Sequence, residues 1–324
     1  MGPWLGVIMA GIGFLAFSGV AAAQSTPAAI TLTATPVPLD YQDTDRRTFD
    51  ALTYVAGFEL TSDHADFGGL SGMLVSLDGG TLLAVTDQGK LLTLALAQDE
   101  SGVLTGVGAA QLKPLTDEKG KPFSDKKWSD AEGLTRSKNG YAVSFERVHR
   151  LLQYDADFSK SSTIRIPKAT SFAPKNGGME ALATLPDGRF FILTEESGET
   201  VSQGWIGGKG QWETFTYPRM DDFKPTGATA LPNGDILLVE RYFTPVFGPG
   251  TRIRRIASSA IKADAEVTGD LLMTLRPPLL VDNMEAIDAL PAPGGGLFIY
   301  ILSDDNFNAV QKTLLLQFRL ADPG

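Results

Sequence analysis

Five segments of this chain share one pattern, and that repetition constrains the fold more than any other feature. They are Leu70–Asp87 (LSGMLVSLDGGTLLAVTD), Ala131–Glu146 (AEGLTRSKNGYAVSFE), Met179–Glu195 (MEALATLPDGRFFILTE), Pro225–Glu240 (PTGATALPNGDILLVE) and Met284–Asp304 (MEAIDALPAPGGGLFIYILSD). Each is an apolar run, a turn rich in Gly, Asn or Asp, a second apolar run and a terminal carboxylate. Short apolar runs bounded by such residues are strand and hairpin signals, and no long i, i+3, i+4 pattern argues for helices. The equivalent positions Ser71, Glu132, Glu180, Thr226 and Glu285 lie 61, 48, 46 and 59 residues apart. Self-similarity at roughly 40–50 residues, with several strands per unit, marks a β-propeller whose units are four-stranded blades. The fold class is therefore all-β, a propeller of four-stranded blades, with six blades preferred and five the alternative. Thr313–Leu320 is expected to pair with strands from residues 48–60 and close the ring, which removes exposed edges. A β-sandwich is the competing all-β architecture, and the repeats count against it.

Met1–Ala23 is almost wholly apolar, carries no charged side chain and ends in Ala21-Ala22-Ala23. It reads as a signal peptide cut before Gln24, although no Lys or Arg precedes the apolar run. The run is also long enough to serve as an uncleaved anchor. Residues 24–45, rich in Pro, Thr and Ala, read as an exposed leader, and residues 46–324 as a single domain. The expected location is the periplasm or the exterior, with no membrane contact after cleavage. The chain has no cysteine, and its net charge is −10, from 28 Lys and Arg against 38 Asp and Glu. That balance argues against nucleic acid as a partner and suits the binding of cations.

Strands joined by a tight turn run antiparallel, so residues equidistant from the turn lie opposite each other. Glu132 and Glu146 flank Asn139 symmetrically, Glu180 and Glu195 flank Asp187-Gly188, and Glu285 and Asp304-Asp305 flank Gly294–Gly296. Asp87 and Glu240 take the distal place in the other two repeats, opposite Ser71 and Thr226. If these hairpins are the inner strands of the blades, their carboxylates converge on one mouth of the central channel. Gathered like charges raise each other's pKa unless a cation compensates. Calcium fits best, since it takes about 6–8 oxygen ligands in flexible geometry. Zinc is disfavoured, because the two histidines, His64 and His149, have no ligand-like spacing. The candidate ligands are Asp87, Glu180, Glu195, Glu240, Glu285, Asp304, Asp305 and Asn306, with Asn283 as a further amide. Glu132 and Glu146 are candidate acid–base groups. Arg147 and Arg241 are candidates for binding an anionic or ester substrate, or else for pairing with nearby carboxylates. His149 is a candidate proton carrier, or else a structural residue. No nucleophile elbow, Walker loop, dinucleotide fingerprint or H-E-x-x-H motif is present.

The segments GGLSGMLVSLDGGTLLAVTDQG, WSDAEGLTRSKNGYAVSFERVHRLLQYD, NGGMEALATLPDGRFFILTEE, FKPTGATALPNGDILLVERYF, DNMEAIDALP and ILSDDNFNAVQKTLLLQFRL resemble those of the phytase-like family labelled "esterase-like activity of phytase". The resemblance spans about residues 50–320. It implies an exported bacterial protein with a propeller-like fold and hydrolase activity on a phosphate or carboxylic ester. Asp87, Glu132, Glu146, Arg147, Glu180, Glu240, Arg241, Glu285, Asp304, Asp305 and Asn306 fall within the matching motifs. A cluster of lysines suited to phytate is not evident. Three functions follow as expectations: a calcium-dependent ester hydrolase, a non-catalytic propeller braced by calcium that binds a ligand or protein, and a lactonase-like propeller.

Overall fold

The computed structural model describes residues 1–2, 26–172 and 177–321; most of the expected signal peptide lies outside them. Five antiparallel sheets form five blades. The first blade runs outward from Leu70–Val75 through Thr81–Thr86 and Lys90–Gln98 to Leu104–Pro114. The second consists of Ala131–Ser137, Gly140–Phe145, Arg150–Tyr154 and Ser161–Ile164. The third is Met179–Thr184, Phe190–Thr194, Val201–Gly208 and Gln211–Pro218. The fourth is Lys224–Ala230, Ile236–Thr244, Gly248–Ile256 and Asp270–Leu275.

The fifth blade explains why the ring closes on five units, the smaller of the two expected counts. Its inner strands Met284–Pro291, Leu297–Ser303 and Thr313–Leu320 are completed by Leu52–Thr61 from the other end of the chain. Thr313 faces Leu60 and Leu320 faces Leu52, the closure expected from the sequence. Residues near 50 therefore finish the last blade and do not begin one of their own. Upstream, Val37 and Leu39 are buried in the core, while residues 26–29 and several up to 36 keep exposed side chains. Their backbone is nonetheless paired: Ala28–Ile30 edges the first blade and Thr33–Pro36 the fifth. This segment thus covers two sheet edges across the seam where the ring closes.

The inner strands touch in cyclic order, each against the next and the fifth against the first. Burial follows radius. Every residue of Leu70–Val75 is buried, whereas the outer strand Ser161–Ile164 is exposed or half-buried throughout. One apolar cluster fills each of the five seams; Leu74, Val85, Phe145 and Leu152, for example, join the first blade to the second. Burying such side chains stabilises by about 1.5–3 kcal/mol each. The inner strands approach closely enough to demand small residues. A methyl group on Gly72 would meet Leu134 N at 2.6 Å and Glu132 O at 2.7 Å.

The channel between them shrinks to a void of about 10 Å³, no more than one water. Asp288 closes its far end: one carboxylate oxygen accepts from Val75 N (2.8 Å) and lies 3.4 Å from the Arg136 guanidinium, and the other accepts from Thr229 Oγ1 (2.8 Å). The opposite mouth is open. Among the described residues no helix is long and apolar enough to cross a membrane.

Candidate functional site

On every inner strand the ladder slips near its start. In four blades one extra residue, Ser71, Glu180, Thr226 or Glu285, sits between paired neighbours. In the second blade Glu132 and Gly133 stand opposite Ser144 alone, whose hydroxyl accepts from Gly133 N at 2.8 Å. A β-bulge re-aims a side chain that regular alternation would point elsewhere. Repeated around the ring, it turns the proximal residues of the repeats toward the channel.

The second strands supply the other half. The residues paired with the first residue of each repeat are Thr86, Phe145, Thr194, Glu240 and Ser303, so the next residues are Asp87, Glu146, Glu195, Arg241 and Asp304. Ser71, Glu132, Glu180 and Glu285, together with these five, line one cavity of about 220 Å³ at the mouth. Thr226 lies in the void below and donates its hydroxyl hydrogen to Met284 O at 2.9 Å. The structure thus brings together Asp87, Glu132, Glu146, Arg147, Glu180, Glu195, Arg241, Glu285, Asp304 and Asn306.

Three other candidates stand apart. Glu240 is enclosed behind the mouth, where it accepts from Tyr217 Oη (2.7 Å) and Arg254 Nε (2.8 Å). Asp305 holds a turn, accepting from Gly69 N (3.1 Å) and Phe307 N (3.0 Å). His149 packs on Gly178, where a Cβ would collide with its ring, and is not part of the cavity lining.

Burial is the first cause of the electrostatics. It pushes the Glu132 carboxyl well above its ordinary range, and Glu180, Glu146 and Asp130 add repulsion. Glu180 is raised likewise, with Glu195 and Glu146 contributing. Burial lifts Glu146 to about 7 against the stabilising N–H of Gly177, which donates to Oε2 at 2.9 Å. It lifts Glu285 to about 7 against the opposing charge of Arg241, and Asp304 to about 8 with help from Glu285. Among the described residues three cations answer these acids. Arg241 reaches Glu195 Oε1 (2.8 Å) on the third blade, and Asn283 Oδ1 (2.7 Å) and Glu285 (3.5 Å) beside the fifth. Lys126 bridges Asp87 (2.5 Å) and Asp130 (2.9 Å), and Arg147 Nε bonds Asp130.

Sequence reasoning passed over Asp130 and Lys126. Asp130 sits one place before the second repeat, where the other repeats have Gly69, Gly178, Lys224 and Asn283. Lys126 begins the short helix Lys126–Ser129, whose N-cap Asp125 accepts from Lys127 N at 2.9 Å. The available signal was the acid pair in Trp128-Ser129-Asp130-Ala131-Glu132.

Asp130, Glu132 and Glu146 each offer a carboxylate oxygen, and these oxygens lie within 4.8 Å of one another. Asp130 Oδ1 and Oδ2 are each engaged by a cation, but a carboxylate oxygen has a second lone pair to give. An all-oxygen set suits a hard cation such as calcium and not a thiolate- or imidazole-seeking one.

A family model described as "Phytase-like: Esterase-like activity of phytase" matches residues 65–307. Among solved structures the chain is similar to a putative gluconolactonase, at 12% identity over 90% of this chain and 95% of that one (TM-score 0.46). It is similar to a luciferin-regenerating enzyme at 12% identity over 90% and 96% (TM-score 0.41). It is also similar to the β-propeller domain of Cps50 (Swd1) from Myceliophteria thermophila, at 9% identity over 88% and 99% (TM-score 0.39). No curated protein matches the sequence.

Proposed function

The chain belongs to the phytase-like family, and from that premise we propose that the acidic mouth is the active site of a cation-dependent hydrolase acting on a phosphate or carboxylic ester. The observation that carries the reading is the triad Asp130, Glu132 and Glu146, three oxygens within 4.8 Å at the wall of a cavity that also presents Arg147 and Lys126. These carboxylates would hold the cation, and calcium suits them. When bound, it would polarise the ester oxygen and make a neighbouring water more acidic.

The rest falls to the chain's own groups. Glu285 faces the same cavity with a pKa pushed to about 7, the range suited to a general base near neutral pH. Its Oε1 is oriented by Asn283 Nδ2 at 2.7 Å, so it is placed to take the proton of an attacking water. Arg147 and Lys126 supply positive charge where negative charge develops on the ester. Arg241 spends two of its nitrogens on Asn283 and Glu195, so its part is to hold the acids in place. The apolar Met1–Ala23 segment supports export to the periplasm or beyond.

The test is turnover of p-nitrophenyl phosphate, p-nitrophenyl acetate and a lactone, with calcium and with chelator. Calcium-dependent hydrolysis of an ester supports the reading, and turnover of the lactone alone favours the lactonase-like one. A second reading draws on the same Arg241 network, which ties three blades together at the mouth: the cation only braces the ring. No turnover on any substrate, with melting still raised by calcium, would favour it.

A further inference from the structure

Beside the acids, the lip of the mouth carries an aromatic ring that the reaction does not need. Asn306 and Phe307 both adopt left-handed backbone, with φ of 48° and 50°, a conformation that non-glycine residues avoid and that clusters at functional sites. The turn is fastened from both sides. Asn306 N donates to Asp304 Oδ1 at 2.7 Å, and Phe307 N donates to Asp305 Oδ1 at 3.0 Å. The same Asp305 oxygen accepts from Gly69 N at 3.1 Å, so the turn of the fifth blade is tied to the entry of the first.

Gly69 (φ +61°) makes room for the ring. A methyl group there would strike the cavity carboxylate Asp87 Oδ1 and also Phe307 Cε2, the latter at 2.7 Å. Ring and carboxylate therefore stand side by side above one glycine. Phe307 remains 40% exposed, although aromatic rings are among the side chains that gain most from burial. Asn306, the preceding residue, lines the cavity.

We propose that Phe307 is a specificity-determining residue of the mouth, receiving an aryl or acyl group while the ester's polar head lies over the acids. The preferred substrate class is then an amphiphilic ester with one apolar arm, in place of a small, wholly polar one. The inference rests on the reading of the mouth as an ester-binding site.

Binding separates the two ideas, because the probes are not hydrolysed. Phenylphosphonate and methylphosphonate share a head group and differ in the arm. Calorimetry on the full chain with saturating calcium should show phenylphosphonate binding about tenfold more tightly, the gain expected of one partly buried ring. Phe307→Ala should remove that preference while methylphosphonate affinity stays within about twofold, and Phe307→Leu should restore part of it. Thermal melting confirms that each variant is folded. Equal affinities in the wild type, no binding of either probe, a preference retained in Phe307→Ala, or parallel loss of both probes overturns the inference. Failure of the hydrolase reading shows itself separately, as absent turnover alongside an intact phenyl preference.

Discussion

Glu240 lies opposite Pro225 in the ladder of the fourth blade, and this register gives its place at the mouth to Arg241. In the other four blades the corresponding place holds Asp87, Glu146, Glu195 or Asp304. One arginine is thus built into a ring of four acids. Side chains alternate along a strand, so Glu240 turns to the seam and pairs with Arg254, with side-chain exposures of 1% and 7%.

Arg241→Met should therefore destabilise the protein by leaving Glu195 and Glu285 without their cation. The guanidinium is about a third exposed, so solvent screening limits the expected loss to about 1–3 kcal/mol. Urea unfolding measures it. Added calcium or a drop to pH 5 should return part of the loss, and a variant as stable as the wild type at pH 8 would contradict the assigned role.

Arg254→Met should separate stability from function. It strands Glu240 in a buried site, which costs about 3–5 kcal/mol, yet neither residue reaches the cavity. The expected result is a lower unfolding midpoint with calcium affinity unchanged in the folded fraction. An altered affinity would place Glu240 in the site after all.

Without a cation, stability should fall as pH rises. Glu146 and Glu285 titrate near 7 and Asp304 near 8 in the folded protein, against ordinary values of 4.5 and 3.8. Between these limits the folded chain holds more protons than the unfolded one. This stabilisation is complete below about pH 4 and is lost as pH climbs to 8. Calcium bound at the mouth would displace the protons, so its stabilising effect should grow over the same interval. Melting curves from pH 5 to 8, in calcium and in chelator, read both trends; parallel curves would contradict the pKa order.

The repeats made the propeller legible, because each hairpin carries its own turn and apolar runs. The blade count was harder to read. Leu52–Thr61 bears no repeat of its own, and only pairing with Thr313–Leu320 assigns it to the fifth blade. At the site, counting from the turns found eight of the nine repeat positions that line the mouth; the ninth is Arg241, where the count put Glu240. Glu240 was taken as a ligand because hairpin lengths differ between repeats, and a slip of one residue flips a side chain to the other face. The bulges that aim Glu132, Glu180 and Glu285 leave no mark in periodicity. Asp130 and Lys126 lay outside the repeat, in a connection that only the folded ring brings to the mouth.

The most direct test is a calcium titration by calorimetry at pH 7 on the wild type and Glu132→Gln. Wild-type protein should bind with a dissociation constant in the range of about 10⁻⁷ to 10⁻³ M and release protons as it does so. Glu132→Gln, which removes one of three converging carboxylates but preserves shape, should weaken binding at least about tenfold with melting otherwise intact. No heat in the wild type, or equal affinity in the variant, would contradict a cation site at the propeller mouth.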